Sequence, residues 1–117
     1  VRRSDIFEMA RAYNDVIFPI FTNGLLIDLE TIKAFKAMKN TVPVISLEGL
    51  QEATDSRRGK GVYAALMQLF KQLKKNRVLY GASITVTTEN MKQVTEESFI
   101  KNLIHNGCKL IFFIEYV

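Results

Sequence analysis

VPVISLEG at positions 42–49, VYAALMQLFKQL at 62–73 and VLYGASITV at 78–86 read in turn as strand, helix and strand. The first and third are rich in Val and Ile, and too continuously apolar for a sheet with one wet face. Between them Val62, Ala65, Leu66, Leu69, Phe70 and Leu73 recur at helical spacing, and the basic run Lys74-Lys75-Asn76-Arg77 suits a helix C-terminus. Buried strands joined by an amphipathic helix form a right-handed βαβ unit with parallel strands.

The same pattern extends to both ends. Upstream, Ile6, Met9, Ala10 and Tyr13 share one helix face behind Ser4 as N-cap, and Val16 to Phe21 is a strand closed by Thr22-Asn23-Gly24. Asp28 caps a second helix that aligns Leu29, Ile32, Phe35 and Met38 and closes near Asn40. Downstream, Val94, Phe99, Ile100, Leu103 and Ile104 mark another helix, stopped at His105-Asn106-Gly107 with glycine in the left-handed conformation. Leu110 to Val117 is the last strand. Pro19 and Pro43 each remove a ladder donor from a strand and are the awkward members.

The order α-β-α-β-α-β-α-β, with strands starting at 16, 42, 78 and 110, predicts an α/β fold: a parallel sheet of about four strands in order 1-2-3-4, helices on one face. Four strands cannot close a barrel of eight, so the sheet is open or is a segment of a partial TIM-like (β/α) barrel. At 117 residues, 48% hydrophobic and 24% charged, the chain predicts a single α/β domain spanning 1–117. It opens at Val1 without a methionine, which is the expectation for a piece of something longer.

One cysteine, Cys108, and one histidine, His105, exclude a disulfide and a Cys₄ or Cys₂His₂ metal cage. With no apolar run near the roughly 20 residues a membrane span needs and no secretory leader at the N-terminus, a cytoplasmic location is expected. The net charge of +4 is uneven: no acid lies between Asp55 and Glu89, while Arg57, Arg58, Lys60, Lys71, Lys74, Lys75 and Arg77 do. Lys71 to Arg77 is expected to be a solvated helix face, and no nucleic-acid partner is expected.

In parallel α/β sheets ligands bind at the carboxyl ends of the strands. The loops there are Thr22-Asn23-Gly24, Ser46-Leu47-Glu48-Gly49 with Asp55 to Gly61, Thr85-Val86-Thr87, and Glu115-Tyr116-Val117. Gly59-Lys60-Gly61 lacks the spacing of a phosphate loop. His105 and Cys108 sit at a helix end on the rim opposite the strand C-termini, which speaks against a Ser-His-Asp or Cys-His catalytic arrangement, and they are expected to be a helix-terminal cation and a buried filler.

FPIFTNGLLID, VPVISLEG with DSRRGKG, GASITVTTEN and KLIFFIEYV, in this order and spacing, resemble the third to sixth strands of the radical S-adenosylmethionine (SAM) superfamily, in its sulfatase-maturase and peptide-modifying branch. Residues 1–6 resemble the start of the helix after the family's GGEP loop. The resemblance implies a SAM-binding segment of a 4Fe-4S iron-sulfur oxidoreductase that, when intact, cleaves SAM to a 5′-deoxyadenosyl radical, with a peptide or protein as its substrate. It implies Ser46 at the ribose, Arg58 at the carboxylate with Arg57 adjacent, Val117 at the adenine, and Asn23 and Thr85 lining the cavity. Glu48 stands where the family usually has Asp. The family's Cys-x₃-Cys-x₂-Cys motif is absent from the chain, so this piece is expected to be inert and to bind no cluster; the raw edges of its four-strand sheet, at Val16 to Phe21 and Leu110 to Val117, are expected to make it self-associate. The alternative is a non-catalytic α/β binding module or a segment of an unrelated barrel, and cluster-binding cysteines upstream of Val1 would discriminate.

Overall fold

The computed structural model describes residues 3–115. Its elements are α1 (Arg3–Ala12), β1 (Phe18–Thr22), α2 (Leu29–Ala37), β2 (Thr41–Ser46), α3 (Gln51–Arg58), α4 (Val62–Lys75), β3 (Gly81–Val86), α5 (Met91–Val94), α6 (Glu97–His105) and β4 (Leu110–Glu115). The four strands form one parallel sheet in the order β1-β2-β3-β4, as the strand spacing predicts.

Local chemistry sets most boundaries. Asp28 accepts from Thr31 N–H at 2.9 Å and from its hydroxyl at 2.7 Å, which caps α2 where expected. Gly107 adopts φ 92° behind α6, the left-handed stop that its sequence predicts. Both prolines are accommodated by position: Pro19 lies on the edge strand β1, and Pro43 precedes the Val44–Ser46 stretch that pairs with β3.

Four expectations need correction. Arg3 is already helical, so Ser4 lies inside α1 and not at its N-cap. The strand expected from Val78 begins only at Gly81: Val78 N–H is taken by Leu73 C=O at 2.9 Å, closing the end of α4. α3, QEATDSRR, escaped the periodicity, because it buries only Thr54 and has no apolar stripe to detect. The single helix expected over Val94 to Ile104 is broken: Val94 ends α5, one turn long, and α6 begins at Glu97. Val117 lies outside the described residues.

One sheet face packs on the helices. Ile45, Leu47, Ala82 and Ile84 meet Ile32 and Phe35 of α2, Leu66, Leu69, Phe70 and Leu73 of α4, and Phe99 and Leu103 of α6 in one buried cluster. Burying such side chains contributes about 1.5–3 kcal/mol each. The alternate strand residues form the opposite face. Phe21 and Val44 share a row with Gly81 and Leu110, Ser46 with Ser83 and Phe112, and Thr85 with Ile114.

That second face is concave. Strands one and four of a flat sheet are about 14 Å apart. Yet the rings of Phe21 and Phe112 meet edge to face with centroids 5.4 Å apart, and Val42 and Val44 on that face are buried. Helices outside and a curled inner face are the geometry of a barrel arc.

Candidate functional site

The strand C-termini converge on one rim, where backbone groups outlast the ladder and side chains must satisfy them. Thr22, Asn23 and Gly24 close β1. Gly24 is buried at φ 83°, and a Cβ there would stand 2.9 Å from Ile45 and Leu66, so glycine alone seats this loop on the core. The Asn23 Oδ1 accepts from Leu25 N–H at 3.0 Å, a local turn, and leaves the backbone carbonyl turned to its neighbours.

Arg58 reaches that carbonyl. Its Nη1 donates to Ser46 C=O and its Nη2 to Asn23 C=O, both at 2.7 Å. One guanidinium therefore clamps the ends of β1 and β2, a reach its planar fork permits and an ammonium would not match. Arg58 stands on the expected rim, but as the last residue of α3 and not in the loop expected there. Half-buried Ser46 brings its hydroxyl to 3.5 Å from that of Ser83 on the concave face. The structure thus brings Ser46, Arg58 and Asn23 together.

Thr85 lies one strand further on, half-buried, and its carbonyl accepts from Asn90 at 3.0 Å. Arg57, next to Arg58, is exposed and points elsewhere. It lines a cleft of about 320 Å³ with Glu48, Glu52, Glu89, Asn90 and Gln93. A second cleft of about 830 Å³ shares Arg57, Glu48, Thr87 and Glu89 with the first and adds Thr85 and Glu115. The two adjacent arginines are thereby divided: Arg58 serves the strand ends and Arg57 an acidic-walled cleft.

Two residues on the rim were absent from the expected site. Ser83 and Asn90 bond to groups of the SLEG segment or its partner strand, whereas Gln93 reaches only past that segment, accepting from Leu50 N–H at 3.1 Å at the start of α3. The spacing Thr87-x-x-Asn90, which supports reciprocal side-chain and backbone bonds, is the available signal for Asn90.

The opposite rim is structural. Tyr80 stacks on Phe70 and donates to Asn106 C=O at 2.6 Å, and burial, with Cys108 nearby, pushes its phenol well above the ordinary range. Burial likewise raises the Cys108 thiol, and the side chain is buried in the core cluster, the filler that was expected. Lys71, Lys74, Lys75 and Arg77 are exposed, as a solvated face requires. Among the described residues no helix is long and apolar enough to cross a membrane.

A parallel arc with helices outside and its polar convergence on the C-terminal rim defines a segment of a partial (β/α) barrel. No family model matches the chain. It is similar to Fe-coproporphyrin III synthase of Methanosarcina barkeri, 30% identical over 76 residues, which is 64% of this chain and 19% of that protein. Its fold is that of part of Streptococcus suis SuiB, with TM-score 0.75 and 21% identity over 99% of this chain and 27% of SuiB; SuiB has also been solved with S-adenosylmethionine bound. Native anSMEcpe with bound AdoMet and Cp18Cys peptide aligns at TM-score 0.73 and 21% identity, over 96% of this chain and 32% of that one. The chain thus spans about a fifth of the curated relative and about a third or less of each structure. It resembles a core segment of radical SAM enzymes, as its four strand-and-loop phrases imply.

Proposed function

We propose that this chain is the SAM-binding segment of a radical SAM iron-sulfur oxidoreductase, completed by residues outside it. The observation that carries this is the rim. Ser46, Asn23 and Arg58 meet at the ends of adjacent strands, beside a concave face whose inward residues are apolar or hydroxyl-bearing.

The residues present fit SAM. The Ser46 hydroxyl can donate to and accept from a ribose hydroxyl, and its partner Ser83 orients it. The Arg58 guanidinium keeps N–H donors beyond the two already engaged, and in this proposal they hold the carboxylate. In this proposal, as the family likeness implies, Asn23 and Thr85 line the SAM cavity and Val117, which lies outside the described residues, meets the adenine. SAM beside a reduced iron-sulfur cluster supplies a 5′-deoxyadenosyl radical.

The cluster itself does not fit this chain. A 4Fe-4S site takes several thiolates, three of them in the Cys-x₃-Cys-x₂-Cys motif, whereas the one cysteine is buried on the opposite rim with its thiol at 3.2 Å from Leu110 C=O. Among the described residues no three His, Cys, Asp or Glu side chains cluster as metal ligands. The substrate proposed is a peptide or protein, in keeping with structures of SuiB bound to precursor peptide SuiA and of anSMEcpe bound to Cp18Cys peptide. The name of the curated relative favours a second reading, an iron-porphyrin product.

The test is anaerobic reconstitution of the full-length gene product, with iron and sulfide analysis, SAM titration and chromatography for 5′-deoxyadenosine after reduction. At least four irons per chain, saturable SAM binding and nucleoside release are expected, while the 117-residue chain alone takes up no stoichiometric cluster. A full-length protein that neither binds SAM nor releases the nucleoside would overturn the proposal.

A further inference from the structure

The β2–β3 ladder stops at the Ser46–Ser83 pair, followed by one bond from Leu47 N–H to Ser83 C=O at 2.9 Å. Beyond that point the chain after β2 enters the Leu47–Leu50 loop while β3 continues to Val86, so the carbonyls of Glu48 and Thr85 have no ladder partner. One side chain answers both. Asn90 Nδ2 donates to Glu48 C=O at 3.2 Å and to Thr85 C=O at 3.0 Å. Its Oδ1 accepts from Thr87 N–H at 2.8 Å and from the Thr87 hydroxyl at 3.2 Å.

We infer that Asn90 is a positioning residue for the SAM site, a tie that sets the distance between the loop carrying Ser46 and the end of the strand carrying Thr85. This rests on the proposed function for its ligand and on geometry for its action. The Thr87 N–H requires an acceptor, which fixes the amide with Oδ1 toward its own turn and Nδ2 toward the two carbonyls. Capping the turn needs only Oδ1, and aspartate caps a turn as well as asparagine. The bonds to Glu48 and Thr85 need an amide donor, which aspartate lacks. Asn90 therefore does with a side chain what another rung of the ladder would do. Arg58 does the same between β1 and β2, so three successive strand ends are laced across the rim by two side chains from the segments that follow them.

Asn90→Asp separates the two roles, because it keeps the turn cap and sets a carboxylate oxygen against two carbonyl oxygens. In the full-length protein we expect its SAM dissociation constant to rise about tenfold, the effect of losing a hydrogen bond of ordinary strength. Hydrogen exchange should quicken together in residues 47–50 and 84–88 and stay unchanged in α4. Gln93→Ala, which removes a bond to the same loop without touching either carbonyl, should leave SAM affinity within about twofold. The inference is overturned if Asn90→Asp binds SAM like the wild type, if exchange changes only in residues 87–91, or if Gln93→Ala costs as much affinity. Should Asn90→Asp not fold, Asn90→Ser, which keeps a short cap but cannot reach Glu48, is read by the same two measurements. A wild-type protein that binds no SAM overturns the cofactor reading, and exchange on the unliganded protein then still decides whether Asn90 laces the loops.

Discussion

At the scale of single residues, the rim is organised by side chains that bond to backbone. The Arg58 guanidinium joins two carbonyls from different strands, and an arginine committed in this way is preorganised for a carboxylate because its rotamer is already fixed. Arg58→Ala in the full-length protein is therefore expected to weaken SAM binding by about 1.5–3 kcal/mol, the scale of a charge-assisted hydrogen bond. Arg58→Lys should recover little of it, since an ammonium cannot span both carbonyls and still meet a ligand. Equilibrium binding that finds Arg58→Ala unchanged would remove Arg58 from the site and leave the cleft-lining Arg57 as the cation to examine.

At the scale of elements, α3 shows how a polar helix is held and why it stays hidden in the sequence. It starts without a side-chain cap at Leu50 and buries only Thr54, so its stability comes from its neighbours. Asp55 supplies the connection: its Oδ1 accepts from Tyr63 N–H at 2.8 Å and its Oδ2 from Gly61 N–H at 3.3 Å, which caps α4 from the body of α3. Asp55→Ala should cost about 0.5–2 kcal/mol, as loss of a helix cap does, and denaturant titration should show a lower midpoint with an unchanged slope. An Asp55→Ala variant with an unchanged midpoint would mean that these bonds do not stabilise the turn. The four apolar-rich strands, the amphipathic α4 and α6, the Asp28 cap and the Gly107 stop were legible in the sequence because each depends on side-chain type at fixed spacing. α3 was not, since it carries no apolar stripe, and neither was the break that sets Val94 in α5 apart from α6. For the site, the rim and the meeting of Ser46 with Arg58 could be anticipated from the strand-end rule and the family likeness. The carbonyl contacts of Arg58 and Asn90 could not, because sequence shows side-chain types but not which backbone groups a curled sheet leaves unpaired.

At the scale of the whole molecule, the arc has two open edges, β1 and β4. Phe21 and Leu110 are exposed on the concave face, as is Ile114, and Phe113 is exposed on the other face of β4. The Phe21–Phe112 contact closes only part of that face. Pro19 blunts β1, while β4 offers LIFFIE with a single charge, Glu115. At about 25 cal/mol per Å², covering even 200 Å² of such surface contributes about 5 kcal/mol, a large share of the roughly 5–15 kcal/mol that holds a domain together. The isolated 117-residue chain is therefore expected to self-associate, by pairing of β4 edges or by exchange of a terminal element between copies. Sedimentation equilibrium at micromolar concentration should show a dimer or larger species. Replacing Phe113 and Ile114 with lysine should shift it toward monomer, because charge on an edge strand opposes pairing. A strictly monomeric wild-type chain that unfolds cooperatively would show that the Phe21–Phe112 arch alone suffices to close the arc.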